Sequence, residues 1–283
     1  MIAITGATGQ LGRLVISELL KKIPASALIA AVRSPEKAAD LAALGVTVRA
    51  ADYNQPATLA QAFHGVEKLL LISSSEIGQR EAQHRAIIDA AKSAGVQFIA
   101  YTSLLHADTS PLSLATEHLA TEALLRASGV PFALLRNGWY TENYAASIPP
   151  ALAHKAFLGA AGEGRIASAA RVDYAAAAAA VIAGDDQAGK IYELAGDESY
   201  SLAEFSAEIA RQSGQQVEYV NLPAAEFEAA LKGAGLPDPV AALLADSDAG
   251  AAQGGLFDDS RTLSRLIGRP TTPYAAVIRD TLA

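Results

Sequence analysis

The sequence predicts an α/β protein built on a doubly wound parallel sheet, with a smaller C-terminal α/β lobe. Two observations support this prediction. In the first half of the chain, apolar runs of strand length alternate with runs of helical periodicity, and the apolar runs are continuous, as in parallel strands covered by helices on both faces. The first apolar run also leads directly into a glycine-rich turn that opens a helix. We therefore expect a Rossmann-type fold.

The elements of the first half follow from these runs in chain order. Strands are predicted at residues 1–4, 28–32, 46–50, 67–72, 96–101 and 131–136. Helices are predicted at residues 10–22, 56–64, 79–94 and 112–128, and one more begins near Pro35. A glycine follows four of these helical runs, at positions 45, 65, 95 and 129, as is usual at the C-terminus of a helix.

The turn at residues 5–12 has glycines at the spacing of a dinucleotide-binding site. Gly6 permits the tight turn, Gly9 lets the backbone approach a pyrophosphate, and Gly12 allows the helix to pack closely on the strand. The amide groups at the N-terminus of the helix then face the anion. A glycine triplet alone is a weak signal, but the full strand, turn, helix and strand context favours a dinucleotide here.

An arginine follows the second strand, at the place where an NAD-preferring site has an acidic residue. Val32 is followed by Arg33, Ser34 and Pro35, and the first acidic residue is Glu36. A guanidinium at this place can pair with a 2′-phosphate, which a carboxylate would repel. The sequence therefore favours NADPH over NADH. The alternative is a solvated Arg33 next to Ser34, with Ser34 as the N-cap of a helix that begins at Pro35.

Composition limits the classes of protein to which the chain can belong. Of its 283 residues, 51% are hydrophobic and 18% are charged, which argues against disorder. The formal net charge of -8 and the lack of a basic stripe make nucleic acid an unexpected partner. The chain has no cysteine, no N-terminal signal pattern and no apolar run as long as a membrane span. We expect a soluble, cytoplasmic protein, and the sequence leaves both a monomer and a homodimer open.

Ligands of such sheets bind beyond the carboxyl ends of the strands, and this rule nominates four further segments. Ala51, Asp52 and Tyr53 follow the third strand and would flank the adenine, with a turn cap at Asp52 as the alternative. Tyr101, Thr102 and Ser103 follow the fifth strand and would face the reacting ring. After the fourth strand come Ser73, Ser74 and Ser75, whose small side chains would let the backbone approach a ribose; an ordinary polar loop is the alternative. After the sixth strand we expect a wall of the nicotinamide and acceptor pocket, with aromatic core packing as the alternative. This stretch consists of Asn137, Gly138, Trp139, Tyr140, Thr141, Glu142, Asn143 and Tyr144.

The second half has a looser pattern. We predict a NADPH-binding Rossmann domain at residues 1–150 and a smaller substrate-side lobe at residues 151–283, which contributes partly to the main sheet. Beyond Pro149 and Pro150 short strands are expected near residues 165–168, 190–194 and 217–220. One helix is expected to begin at Arg171, another is capped by Ser201, and three more follow. Arg171 is either a cofactor contact or an unattached surface arginine.

The sequence lacks the Tyr–Lys pair with which short-chain dehydrogenases protonate the alkoxide formed from a ketone. Four residues after Tyr101, Tyr140 and Tyr144 stand Leu105, Tyr144 and Ile148. An acceptor with a less basic product is therefore favoured. A quinone qualifies, because a hydroquinone anion is far less basic than an alkoxide. Such an enzyme needs mainly to hold the two reacting rings together.

Three side chains are candidate catalytic groups. Tyr140 and Asn143 would orient a quinone oxygen, and His118 would donate a proton, although a surface position on an exposed helix face is the preferred interpretation of His118. The quinone would stack on Tyr140, Trp139 or Tyr144. None of the five histidines has the spacing of a metal site, so no metal is predicted.

Several stretches of the chain together resemble one family. They are MIAITGATGQLG at residues 1–12, LLLISSS at 69–75, IAYTSLLHADTSP at 99–111, LRNGWY at 135–140 and GGLFDDS at 254–260. On these residues, and essentially from end to end, the chain resembles the flavin-free bacterial NADPH:quinone oxidoreductases of type two, in the NmrA-like, atypical short-chain dehydrogenase group. The resemblance implies two-electron reduction of a quinone by direct hydride transfer, with NADPH and without flavin.

The resemblance also implies a set of cofactor contacts and leaves two other functions open. All of the implied contacts are matched here: Gly6, Ala7, Thr8, Gly9, Gln10, Leu11, Arg33, Ser73, Ser74, Ser75, Asn137, Gly138, Trp139, Tyr140, Thr141, Glu142 and Arg171. It fixes no proton donor. NmrA-like proteins that lack the Tyr–Lys pair can bind NADP(H) as redox sensors without turnover, and triphenylmethane dye reductases look similar in the first half.

Overall fold

The structure, a computed structural model, describes residues 1–76 and 78–283. These residues form two β-sheets, one of seven strands and one of two strands. The strands of the described residues are β1 (Ile2–Thr5), β2 (Leu28–Val32), β3 (Thr47–Ala50), β4 (Lys68–Leu71), β5 (Phe98–Leu104), β6 (Phe132–Asn137), β7 (Ala156–Gly159), β8 (Ile191–Leu194) and β9 (Glu218–Asn221). The α-helices in the same residues are α1 (Gln10–Leu20), α2 (Ala39–Ala43), α3 (Pro56–Ala62), α4 (Arg80–Ser93), α5 (Ala115–Ser128), α6 (Thr141–Ala145), α7 (Ile148–His154), α8 (Arg171–Ala183), α9 (Leu202–Ser213), α10 (Ala224–Gly233), α11 (Asp238–Ala252), α12 (Thr262–Ile267) and α13 (Tyr274–Leu282).

The larger sheet has seven strands in the order β3-β2-β1-β4-β5-β6-β8. β1 pairs in parallel with both β2 and β4, so the strand order reverses at β1, as in doubly wound sheets that bind dinucleotides. Every residue of β2 and β5 is buried, because these strands are covered on both faces, whereas β3 at the edge has exposed ends. The predicted Rossmann-type fold is confirmed.

The chain divides into two compact units whose segments alternate along the sequence. Unit 1 consists of Met1–Leu104, Thr116–Arg136 and Tyr174–Tyr192, and unit 2 of Leu105–Ala115, Asn137–Asp173 and Glu193–Ala283. This division is more interleaved than the single boundary at residue 150 that the sequence suggests. β8, from the second half of the chain, lies in the large sheet.

The cores of the two units differ in composition. In unit 1 the buried cluster is largely aliphatic and joins strand residues such as Ile29, Leu69 and Ile99 to helix residues such as Leu59 and Ile87. In unit 2 a group of aromatic rings packs with centroid separations between 4.4 and 6.2 Å. This aromatic cluster consists of Trp139, Tyr144, Phe157, Tyr200, Phe205 and Tyr274.

The second half departs from the predicted elements in three ways. The chain does not loosen at Pro149 and Pro150, because both prolines lie in the first turn of α7, where their missing amide hydrogens are not needed. The expected strand at residues 165–168 is wrong: an isolated bridge between Ile166 and Tyr200 stands in its place. Four helices, α10 to α13, follow β9 rather than three. The helix cap at Ser201 is confirmed, and Glu204 completes a capping box.

Candidate cofactor-binding site

The turn between β1 and α1 is packed so closely that a side chain at Gly12 would not fit. We call residues 5–12 the glycine turn. Gly6 has a φ of 59°, and its carbonyl oxygen accepts a hydrogen bond of 2.9 Å from the backbone N–H of Gly9. A Cβ on Gly12 would lie 2.3 Å from the Gly6 oxygen and 2.7 Å from Ala7 Cα. Close packing of the helix on the turn therefore depends on Gly12, in agreement with its predicted role.

The N-terminus of α1 is open to an anion. Its N-cap residue is Gly9, which offers no side chain to accept from the first amide groups, and the first turn of the helix contains no acidic residue. Arg13 fixes the turn from the other side, because its Nε donates to the Thr8 carbonyl at 3.2 Å. Unsatisfied amides and the positive end of a helix dipole together favour a phosphate at this place.

Arg33 follows β2, as predicted, and forms an ion pair that the sequence did not reveal. Its Nη1 lies 2.8 Å from Oε1 of Glu76, in the loop after β4, and both side chains are exposed. A short 3-10 helix begins at Pro35 with Ser34 as its N-cap residue, as the alternative interpretation has it, although the Ser34 side chain forms no capping hydrogen bond. Glu76 thus holds the Arg33 cation beside β1, the strand that leads into the glycine turn. The role of Arg33 toward a 2′-phosphate stays a prediction.

The serine loop after β4, residues 73–75, is held from two neighbouring elements of unit 1. The backbone N–H of Ser73 donates to Thr102 Oγ1 at 2.8 Å. The backbone N–H of Ser74 donates to His84 Nε2 at 3.0 Å, and the Ser74 hydroxyl donates to Gln83 Oε1 at 2.5 Å. These hydrogen bonds fix the path of the backbone at Ser73 and Ser74, whereas an ordinary polar loop would be held mainly by solvent.

His118 is buried, which corrects the expectation of a surface histidine. Its side chain is 5% exposed, and Nδ1 lies 2.7 Å from the hydroxyl of Tyr101. Burial lowers the pKa of His118 well below its ordinary value, with Arg80 and His84 adding to the effect, so the ring is neutral at physiological pH. A neutral, enclosed imidazole bonded to a tyrosine is a structural group rather than an acid that reaches a substrate.

In unit 2, the stretch after β6 forms a cluster of polar side chains. We call residues 137–144 the tyrosine segment. The guanidinium of Arg171 lies over the ring of Tyr140, 4.6 Å from its centroid, and donates to Asn143 Oδ1 at 3.0 Å. The carboxylate of Glu142 accepts from the backbone N–H of Arg171 at 2.8 and 3.1 Å, at the start of α8. Arg171 is therefore not an unattached surface arginine.

Two rings of the tyrosine segment belong to the core of unit 2. Trp139 and Tyr144 are 8% and 7% exposed and lie side by side in the aromatic cluster. The Tyr144 hydroxyl donates to Asp248 Oδ1 at 2.9 Å, and Asp248 Oδ2 accepts from the backbone N–H of Ala160 at 2.8 Å. Core packing, the alternative interpretation, thus describes Trp139 and Tyr144, while Tyr140 is only half-buried.

Burial sets the protonation of the acidic groups around this segment. It raises the pKa of Asp248 to about 6, against which the hydrogen bonds from Ala160 and Tyr144 act. Burial also raises the pKa of Tyr140, although Asn137 and Arg171 act to lower it, so its hydroxyl is protonated at neutral pH. Tyr140 thus offers a neutral O–H donor beside a fixed cation.

One buried acceptor in the tyrosine segment is unsatisfied. The carboxamide of Asn137 lies beside the Tyr140 hydroxyl, and its Oδ1 finds no hydrogen-bond partner within residues 1–76 and 78–283. Asn137 is 6% exposed, so this oxygen pays a desolvation cost unless a ligand donates to it. A buried acceptor of this kind fits a ligand that carries a hydrogen-bond donor such as an amide group.

Neither a metal site nor a membrane-spanning helix is found in the part of the chain that the structure describes. No group of three or more His, Asp or Glu side chains there lies close enough to hold a metal ion. No helix there is long and apolar enough to cross a membrane.

The strand order and the open glycine turn define a dinucleotide-binding protein of the Rossmann class. The chain belongs to the NAD(P)H-binding family, whose sequence profile matches residues 6–185. It is 64% identical to quinone oxidoreductase 2 of Escherichia coli over 97% of this chain and 96% of that protein.

Solved structures extend this likeness. The crystal structure of a NADPH-dependent quinone oxidoreductase from Escherichia coli, complexed with NADPH, covers 100% of both chains with a TM-score of 0.98 and 62% identity. The triphenylmethane reductase of Citrobacter sp., complexed with NADP(H), covers 99% of this chain and 100% of its own with a TM-score of 0.95 and 38% identity. The likeness to the dye reductase therefore extends well beyond the first half of the chain.

Proposed function

We propose that this chain is an enzyme that reduces quinones to hydroquinones with NADPH, by two electrons and without flavin. The observation that carries the proposal is 64% identity to a quinone oxidoreductase over nearly the whole chain. NADPH, when bound, supplies the hydride, and a proton from solvent or a nearby hydroxyl completes the hydroquinone as NADP+ is released. The remaining work of the protein is to hold the cofactor and to orient the quinone.

The residues of unit 1 are proposed to hold the adenosine and pyrophosphate end of the cofactor. Gln10 and Leu11 begin α1, and no side-chain cap occupies the amides at this end of the helix. Arg33 would pair with the 2′-phosphate through its planar guanidinium. Ser73, Ser74 and Ser75 would line the ribose side, because their backbone is fixed by His84 and Thr102 rather than by the ligand.

The tyrosine segment of unit 2 is proposed to orient the reacting groups. Asn143 uses its amide oxygen on Arg171, which leaves its NH2 group to donate to a quinone oxygen. The protonated hydroxyl of Tyr140 is a second donor of this kind. Neither is a strong acid, and neither needs to be, because the hydroquinone anion is a weak base compared with an alkoxide.

A steady-state assay tests the function. The purified protein should oxidise NADPH in the presence of 1,4-benzoquinone, with one hydroquinone formed per NADPH consumed and no flavin absorbance in the sample. Binding of NADPH without turnover would point instead to a redox sensor. A higher kcat/KM for a triphenylmethane dye than for benzoquinone would contradict the proposed acceptor.

Replacement of Arg33 tests the cofactor preference. Arg33→Ala should weaken NADPH roughly tenfold more than NADH, because a charge-assisted bond to the 2′-phosphate is lost. Titration calorimetry with both cofactors measures the difference. The matched control is Arg85→Ala, which removes another exposed arginine, on α4. Equal losses for the two cofactors in Arg33→Ala would contradict a 2′-phosphate contact.

The cytoplasmic location and the choice between monomer and homodimer stay predictions from the sequence. Cell fractionation and analytical ultracentrifugation would check them.

A further inference from the structure

A carboxylate stands directly against the arginine to which we assign the 2′-phosphate. β2 and β4 are the two neighbours of β1 in the sheet, so the loops after them flank the glycine turn. Arg33 follows β2 and Glu76 follows β4, and their Nη1 and Oε1 atoms are 2.8 Å apart. The guanidinium therefore already has an anionic partner from this chain.

Hydrogen bonds from Gln83 and with Ser74 fix the position of Glu76. Its second oxygen, Oε2, accepts from Nε2 of Gln83 at 2.6 Å, and Gln83 is 3% exposed. Ser74 donates to the Oε1 of Gln83 and so sets the orientation of that amide. The backbone N–H of Glu76 also donates to the Ser74 hydroxyl, at 3.3 Å. A buried side chain thus holds the carboxylate in place, whereas the ion pair itself lies in solvent.

Stability does not account for this arrangement. Exposed ion pairs contribute little to the free energy of unfolding, and both Arg33 and Glu76 are more than one third exposed. The hydrogen bond from Gln83 and the contact with Arg33 hold the pKa of Glu76 below its ordinary value, so the group is a carboxylate at neutral pH. A fixed negative charge beside a cofactor phosphate must act on the binding of that cofactor.

We propose that Glu76 is a specificity-determining residue that restrains the preference for NADPH and supports NADH. The inference rests on the proposed contact between Arg33 and the 2′-phosphate. A 2′-phosphate must compete with Glu76 for Arg33 and is repelled by it, which weakens NADPH. A ribose 2′-hydroxyl can donate to the carboxylate instead, as it does to the acid after the second strand of NAD-preferring sites. In this chain Glu76, in the loop after β4, would supply the carboxylate that NAD-preferring sites have after the second strand.

Glu76→Gln tests the proposal, because it keeps the shape and removes the charge. We expect NADPH to bind about fivefold more tightly and NADH more weakly, an effect of the size usual for exposed charge pairs. Two probes that lack the nicotinamide should follow the same pattern: 2′,5′-ADP should bind more tightly, and 5′-AMP, which keeps the ribose 2′-hydroxyl, more weakly. Calorimetry at low and high salt should show the gain shrink as salt increases.

A matched control and two outcomes complete the design. Glu81→Gln removes an exposed carboxylate from α4, where it pairs with Arg85, and should leave the ratio of NADPH to NADH affinity unchanged. An unchanged or lower ratio in Glu76→Gln overturns the proposal, provided that Arg33→Ala is selective for NADPH. If Arg33→Ala weakens both cofactors equally, the assignment of Arg33 itself fails, and the two failures are thereby distinguished.

Discussion

The glycine turn of unit 1 and the tyrosine segment of unit 2 are built in opposite ways. The glycine turn works through backbone atoms, and positions 6, 9 and 12 in it are glycines without side chains. The tyrosine segment works through side chains that contact one another, with Arg171 between Tyr140 and Asn143. A backbone site fails when an atom is added, whereas a side-chain site can be altered one contact at a time.

The largest effect is expected where an atom is added to the glycine turn. Gly12→Ala should lower the free energy of unfolding by about 3 kcal/mol or more, because its Cβ would meet two backbone atoms that cannot rotate away. Urea denaturation measures the loss. Gly233→Ala, near the end of α10, is the control, because nothing lies within 4 Å of its new Cβ and the change should stay within about 1 kcal/mol. Equal stability of the two variants would break the comparison.

The next largest effect is on stability and depends on pH, because it arises from Asp248, which accepts the hydrogen bond of Tyr144 in the tyrosine segment. Burial raises the pKa of Asp248 from 3.8 to about 6, so the fold favours the neutral acid. The stability that this preference contributes is complete below pH 3.8 and is lost as the pH rises through 6. At pH 7.5 the folded protein therefore carries a buried carboxylate with no cation bonded to it among the described residues.

Asp248→Asn removes this titration. Asparagine has one acceptor oxygen instead of two, so the variant loses a hydrogen bond at every pH. From pH 4 to pH 7, however, its stability relative to the unchanged protein should rise by up to roughly 3 kcal/mol, the equivalent of about two pKa units. Urea denaturation at several pH values measures the gain. Asp246→Asn on the same helix is the control, and an equal change of pH profile in both variants would contradict the assignment to Asp248.

The smallest effect lies within the tyrosine segment itself. A double-mutant cycle with Arg171→Lys and Tyr140→Leu should give a coupling energy of about 0.5–1 kcal/mol, because the planar guanidinium over the ring is replaced by a point charge. Thermal or urea unfolding of the four proteins measures it. A coupling energy of zero would mean that the two side chains are neighbours without being partners.

Local patterns explain why the glycine turn could be predicted. Tight turns, close helix packing and helix ends each require glycine for reasons that act within a few residues, so Gly6 and Gly12 carry their roles in the sequence itself. The strands of the large sheet were predicted to within three residues at each end, because strands covered on both faces read as continuous apolar runs.

What the sequence missed depends on contacts between distant residues. Arg33 and Glu76 are 43 positions apart, and nothing local marks them as partners. His118 contacts Tyr101, 17 positions earlier in the chain, and nothing in the local sequence marks that contact. The short helix α7 was missed because two adjacent prolines usually interrupt a helix, although both are tolerated in a first turn.

Trp139 is the only tryptophan in the chain, and it lies in the aromatic cluster of unit 2. Its intrinsic fluorescence therefore reports on one place alone, with no second indole to blur the signal. Quenching or a spectral shift on addition of a ligand would register a change at the tyrosine segment, without any label being attached. The molecule thus carries its own optical reporter for the tyrosine segment.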